Sequence, residues 1–323
     1  MTVATDTRVV LPELPLEAWE PTKDTLHLWS QIVGKVQLAA TAPRNHWWNV
    51  TFSVGVRGLE TRRMHARGRT FELDFDFVDH RLVLRTDRGD VDSFALEEGL
   101  SVAAFDAQLH ALLAAAGVDV PIREQPFGVA HLTTPFAEDT AHRSYDREFV
   151  ERWWHAVSWA ASVLEEFSGW FCGKTSPVQL FWHSFDLAVT RFSGRRAPPL
   201  DGADPVTRES YSHEVISFGF WPGDPSIREP AFYSYTAPEP PTLRERPLVP
   251  AAAAWRPGPG GSMALLPYDA VRTARDPRAT LLAFLESAYE AGAEAAGWDR
   301  GELESSWCPS RQELDDIRRR VAP

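Results

Sequence analysis

Two stretches, PRNHWWNVTFSVGVRG (43–58) and PVQLFWHSFDLAVTRF (177–192), decide how this chain is read. In the first, Trp48, Val50, Phe52, Val54 and Val56 alternate with Asn49, Thr51, Ser53 and Arg57, the period of a strand with one buried face. The second lies on the first without a gap. Pro43 falls on Pro177, Trp48 on Trp182 and Arg57 on Arg191. Upstream of each lies a Gly-Lys pair, Gly34-Lys35 and Gly173-Lys174.

Working outward, Leu26, Trp29, Val33 and Val36 recur at helical spacing over 22–40. Residues 70–78 alternate, with Phe71, Leu73, Phe75 and Phe77 inward and Glu72, Asp74 and Asp76 on a solvated face. Short strands follow at 81–86 and 90–96. Ser101 caps a helix that stops at Gly117. In the second half, Asp146 caps a long helix to about 171. Strands are expected at 178–192, 212–221, 231–236 and 263–266. Asp276 and Pro277 open a helix that stops at Gly297. The shared order predicts an α+β fold: two similar helix–antiparallel sheet–helix halves, packed as one unit and related by internal duplication. The expected boundaries are an N-terminal arm (1–21), a first half (22–145), a second half (146–298) carrying a Pro-rich insertion at 237–262, and a charged C-terminal helix (299–323).

Composition restricts function. A net charge of −12 and a pI near 5.3 argue against nucleic acid and anionic membrane surfaces as partners. No apolar run reaches the roughly 18 residues of a membrane-spanning helix. The N-terminus lacks a signal-peptide pattern. The two cysteines, Cys172 and Cys308, are far apart and imply neither a disulfide framework nor a thiolate metal site. The expected location is therefore cytoplasmic. Among thirty arginines stand only three lysines, Lys23, Lys35 and Lys174. A lysine retained in that background is a candidate for a place that needs a compact ammonium.

The strings HWWNV, FELDFDFVDHRL, GKTSPVQLFWHSFDLAVTRFSGRRAPP, YSHEVISFGFWPGD, EPAFYSY and LLPYDAVRTARDP resemble an uncharacterised bacterial family, domain of unknown function 5996, over Leu16 to Trp298. The resemblance implies one continuous unit and brings no activity, cofactor or catalytic residue with it.

Candidate chemistry concentrates in the second half. GKTS at 173–176 is not a phosphate-binding loop, because Ser168 stands where that loop needs glycine and a helix precedes it. Lys174 is either a ligand for an anionic group or a solvated lysine at a helix end. Asp186 interrupts an apolar row at the position matching Phe52, and Glu214 shares a face with Ile216, Phe218 and Phe220. Buried carboxylates must be paired or neutralised, so each is either a structural ion pair or a pocket acid. The expected site takes Asp186, Glu214 and His213 as acid/base groups. Around them it sets Lys174, Trp182, His183, Arg191, Tyr211 and Trp221 as ligand-binding groups. Strand alternation places His183 opposite Asp186 and His213 opposite Glu214, so no metal is expected there. The function class that follows is binding or transforming a small polar molecule, with no cofactor indicated. The alternative is a non-catalytic scaffold or protein-interaction role.

Overall fold

The structure is a computed structural model that describes residues 10–304 except 259, together with 313, 316, 319 and 320. Its centre is helix α1 (Leu16–Ala40), which starts earlier than the pattern at 22–40 suggests because Leu16 and Trp19 are also buried. Tertiary contact, not a polar cap, fixes that start. The helix is enclosed on nearly every side. Its buried polar residues therefore hold the chain segments around it, as buried amides must. Gln37 Nε2 donates to the carbonyls of Asn49 (2.9 Å) and Thr51 (2.8 Å), and its Oε1 accepts from Arg62 N at 2.9 Å. Gln31 Nε2 donates to the Phe127 carbonyl at 3.0 Å, and its Oε1 accepts from Phe127 N at 2.7 Å.

The first antiparallel sheet contains β1 (Ser53–Val54), β2 (Gly58–Glu60), β3 (Met64–Ala66), β4 (Arg69–Asp76), β5 (Arg81–Thr86) and β6 (Val91–Ala95), in the order β1-β2-β4-β5-β6 with β3 also on β4. Helix α2 (Val102–Ala115) covers it, stacking Phe105 on Phe75 and on Trp29 of α1. The acidic run on β4 is not a solvated face. Asp76 is buried against Arg57, and Asp74 is paired with Arg85 across to β5.

The second half opens with α3 (Arg147–Ser168). Its sheet comprises β7 (Gln179–Phe181), β8 (Asp186–Arg196), β9 (His213–Trp221), β10 (Ala231–Ala237), β11 (Ala254–Gly258) and β12 (Gly261–Pro267), in the order β11-β12-β10-β9-β8-β7. Short helices α4 (Pro205–Ser210), α5 (Tyr268–Arg272) and α7 (Arg300–Leu303) flank it, and α6 (Pro277–Ala295) packs on its inner face beside α3. The Pro-rich insertion is thus no mere linker, since it supplies the edge strand β11. Most of the expected charged C-terminal helix (299–323) lies outside the described residues.

Both decisive stretches are broken where alternation predicts continuity. Residues 45–47 form a 3₁₀ turn, and a turn at 182–185, with Phe185 at φ +58°, separates β7 from β8. The gapless alignment therefore does not describe their placement. Phe52, matched to Asp186 in sequence, exchanges backbone hydrogen bonds of 2.9 Å with Leu180. That bridge joins the edges of the two sheets. One continuous buried cluster runs across both halves.

Candidate functional site

The register of β8 against β9 separates the expected carboxylates. Leu187 faces Phe220 at one end and Arg196 faces His213 at the other, so Asp186 and Glu214 stand at opposite ends of the strand pair. By strand rise that is on the order of 20 Å. The expected paired-acid site is therefore not formed. Glu214 instead accepts from Ser193 Oγ at 2.8 Å and Arg195 Nε at 2.9 Å. Arg195 also donates to the carbonyls of Ala296 (2.9 Å) and Gly297 (3.1 Å), just past α6. This is a structural tie at a helix C-terminus, where a cation is favourable.

Asp186 is half-buried at the head of β8, where the hydroxyls of Ser184 and Tyr233 both donate to it. Gly219 makes this possible, because a Cβ there would come within 2.5 Å of the Tyr233 hydroxyl. Tyr233 stacks on Tyr235 at 6.1 Å, and Tyr235 shares a 3.1 Å hydrogen bond with Tyr211. Burial holds the Tyr233 and Tyr235 phenols well above their ordinary range, followed by the Asp186 charge at Tyr233 and by Tyr211 at Tyr235. His183 and Trp221 are half-buried near this end of the sheet, with burial lowering the His183 imidazole.

Two other expected ligand groups are core residues. Trp182 is 3% exposed and packs against Gly34 of α1. Arg191 is also 3% exposed; its guanidinium lies 3.6 Å from the Phe167 ring centroid and 4.5 Å from that of Tyr289. It donates to the Phe167 carbonyl at 2.5 Å, and burial pushes it down to about 10. Sequence alignment set it on Arg57, which is instead partly exposed and paired with Asp76 and Asp79.

Lys174 and His213 do meet polar company, at the junction of the halves. Segment 174–176 lies beside β8: Phe192 N donates to the Lys174 carbonyl at 3.0 Å and Ser176 N to the Thr190 carbonyl at 2.9 Å. This brings the Lys174 ammonium to 4.6 Å from the Phe192 ring centroid and 5.2 Å from that of Trp48. His46 Nε2 stands 2.9 Å from Lys174 Nζ, and His46 Nδ1 is 3.2 Å from the Ser210 carbonyl. A carbonyl can only accept, so Nδ1 carries the proton and Nε2 accepts from the ammonium. Burial, then the Lys174 charge, lowers the His46 pKa, which keeps it neutral. The His213 ring is 5.6 Å from that of His46.

The 3₁₀ turn that carries His46 is strained. His46 and Trp47 both occupy the left-handed region, at φ +55° and +59°. Residues of α4 and its C-terminal end hold them there: Glu209 accepts from His46 N at 3.0 Å and the Val206 carbonyl from Trp47 Nε1 at 3.2 Å. Strain maintained by surrounding bonds is a feature of preorganised sites.

Trp48 also lines a cleft of about 720 Å³, together with Arg44, Arg62, Glu165, Thr175 and Ser176, among others. Arg62 Nε donates to the Trp48 carbonyl at 2.9 Å, and burial followed by the charge of Arg44 lowers its pKa. Among the described residues, no carboxylate lies within ion-pair distance of Arg44, Arg62 or Lys174, whereas about half of the other arginines have one. Sequence reading missed Arg44, His46 and Arg62; the rarity of lysine was the one signal pointing here.

Cys172 is disulfide-bonded, contrary to the expectation from spacing; Cys308 lies outside the described residues. No helix among the described residues is long and apolar enough to cross a membrane. The profile of a family of unknown function (DUF5996) matches residues 11–305. No curated protein and no solved structure matches the chain.

Proposed function

We propose from the site and not from kinship, since the chain belongs to a family whose function is unknown, that the junction cleft binds a small anionic molecule. The observation that carries this reading is that Arg44 and Arg62 line the cleft beside Trp48 with no carboxylate within ion-pair distance of either among the described residues, Glu165 being the one acid in the lining, in a chain of net charge −12. Bringing like charges together costs free energy that a bound anion offsets. Guanidinium groups offer the fork geometry that suits carboxylate or phosphate. Thr175 and Ser176 add hydroxyls, and Trp48 adds an apolar wall. The site lies where the two halves meet, between α3 and the strained 45–48 turn, not inside the second half alone.

Isothermal titration and thermal denaturation with inorganic phosphate and phenyl phosphate test it. Saturable binding is expected, weakened at least about tenfold in Arg62→Gln and in Arg44→Gln, the loss of one charged hydrogen bond. Absence of binding by either anion, or binding indifferent to both substitutions, overturns it.

A further inference from the structure

We propose that Asp106, His110 and Glu124 form a divalent-cation site in the first half, separate from the junction cleft. Asp106 and His110 are one turn apart on α2 and share a face. Glu124 comes from the connector between the halves. Its position is fixed by Phe136 N donating to the Glu124 carbonyl at 2.9 Å. One donor atom from each of the three side chains lies within 4.8 Å of the other two. His110 Nε2 is 3.5 Å from Asp106 Oδ1 and 3.7 Å from Glu124 Oε1. An ion held at about 2.1 Å by nitrogen and oxygen donors sets neighbouring ligands roughly 3.0–3.5 Å apart, so small side-chain adjustments close the site.

Burial supplies an independent reason. Asp106 is only 6% exposed, and its Oδ1 accepts no hydrogen bond. Glu124 Oε2 is likewise enclosed without a partner. His110 is the one group within ion-pair distance of the two carboxylates among the described residues, and enclosed carboxylates that are under-neutralised cost free energy that a bound cation offsets. Lys35 attracts Glu124 only from beyond ion-pair distance, its ammonium sitting 5.9 Å from the Phe136 ring centroid. An imidazolium at His110 would bring one positive charge against two carboxylates. A divalent ion brings two and uses the neutral imidazole as a donor.

The side chains of His110 and Glu124 are 38% and 37% exposed, so the outer side of the site is open to water ligands. One imidazole with two carboxylates suits borderline first-row ions such as Zn²⁺ and Mn²⁺. Bound there, the ion would tie the connector to α2.

The test uses the full chain after chelator treatment, titrated calorimetrically with zinc chloride and with manganese chloride. His110→Gln and Glu124→Gln carry it, since both side chains are partly exposed and folding is checked by circular dichroism. One ion per chain is expected, with affinity at least about tenfold weaker in each variant, the loss typical of disturbing a metal ligand's shell. No saturable binding of either ion, or one-per-chain binding that both variants retain unchanged, overturns the proposal.

Discussion

Replacing Gly34 with alanine sets two opposing effects against each other. In an unconstrained helix the change stabilises by about 1 kcal/mol, because glycine loses the most backbone entropy on folding. Here a Cβ would come within 2.5 Å of Trp182 Cδ2, and closer still to Cγ and Cδ1. Carbon atoms rest at about 3.5–4.0 Å, so the ring would have to move by more than about 1 Å. The atoms struck belong to the part of the indole nearest the backbone, in a side chain that is 3% exposed. Overpacking of that kind costs about 1–3 kcal/mol, occasionally more. With backbone-proximal atoms struck, the cost falls in the upper part of that range and sterics should win, leaving a net loss of up to about 2 kcal/mol. A loss of 1 kcal/mol moves Tm by about 2–4 °C in chains somewhat shorter than this one. Calorimetry should therefore show Gly34→Ala melting several degrees lower. In a Trp182→Ala background, where the struck Cγ, Cδ1 and Cδ2 atoms are absent, the same substitution should cost nothing further or stabilise. A Tm unchanged or raised by Gly34→Ala alone would refute the close fit of α1 against the turn after β7.

Three other outcomes follow from the same geometry. His27 is buried and its pKa is pushed down to about 3, first by desolvation and then by the charge of Lys23. Its stabilising contribution is complete above the unfolded value near 6.5 and is lost as pH falls toward 3. Urea denaturation between pH 6.5 and pH 4 should show His27→Gln with a flatter decline than the parent by up to about 1.4 kcal/mol per pH unit; parallel curves would contradict this. Tyr233→Phe removes one of the two hydroxyl donors to Asp186 and should lower stability by about 1–3 kcal/mol in chemical denaturation, with a change under about 0.5 kcal/mol counting against the bond. Glu214→Gln should leave phosphate affinity at the junction cleft unaltered while modestly lowering Tm; loss of affinity would return Glu214 to the site.

The parts of the fold legible in the sequence are those governed by local rules. Ser101, Asp146 and Asp276 read as helix caps, and each accepts from the backbone N–H three residues on, at 3.1, 3.3 and 2.9 Å. The parts that were not legible depend on register. Residues 182–185 contain neither glycine nor proline, so nothing local announces the turn that divides β7 from β8. Without that turn, and without the pairing of β8 with β9, Asp186 and Glu214 look like neighbours. Arg44 and Arg62 gave no signal, because tertiary packing of the 44–62 ribbon on Gln37 decides what they face. Lys174 gave one for a reason the geometry supplies. Its ammonium occupies a narrow space between the Phe192 and Trp48 rings and meets a single imidazole lone pair at His46. A planar guanidinium with its fork of donors has no matching acceptor pair there, so in a chain that otherwise uses arginine, the compact point charge is the cation that fits.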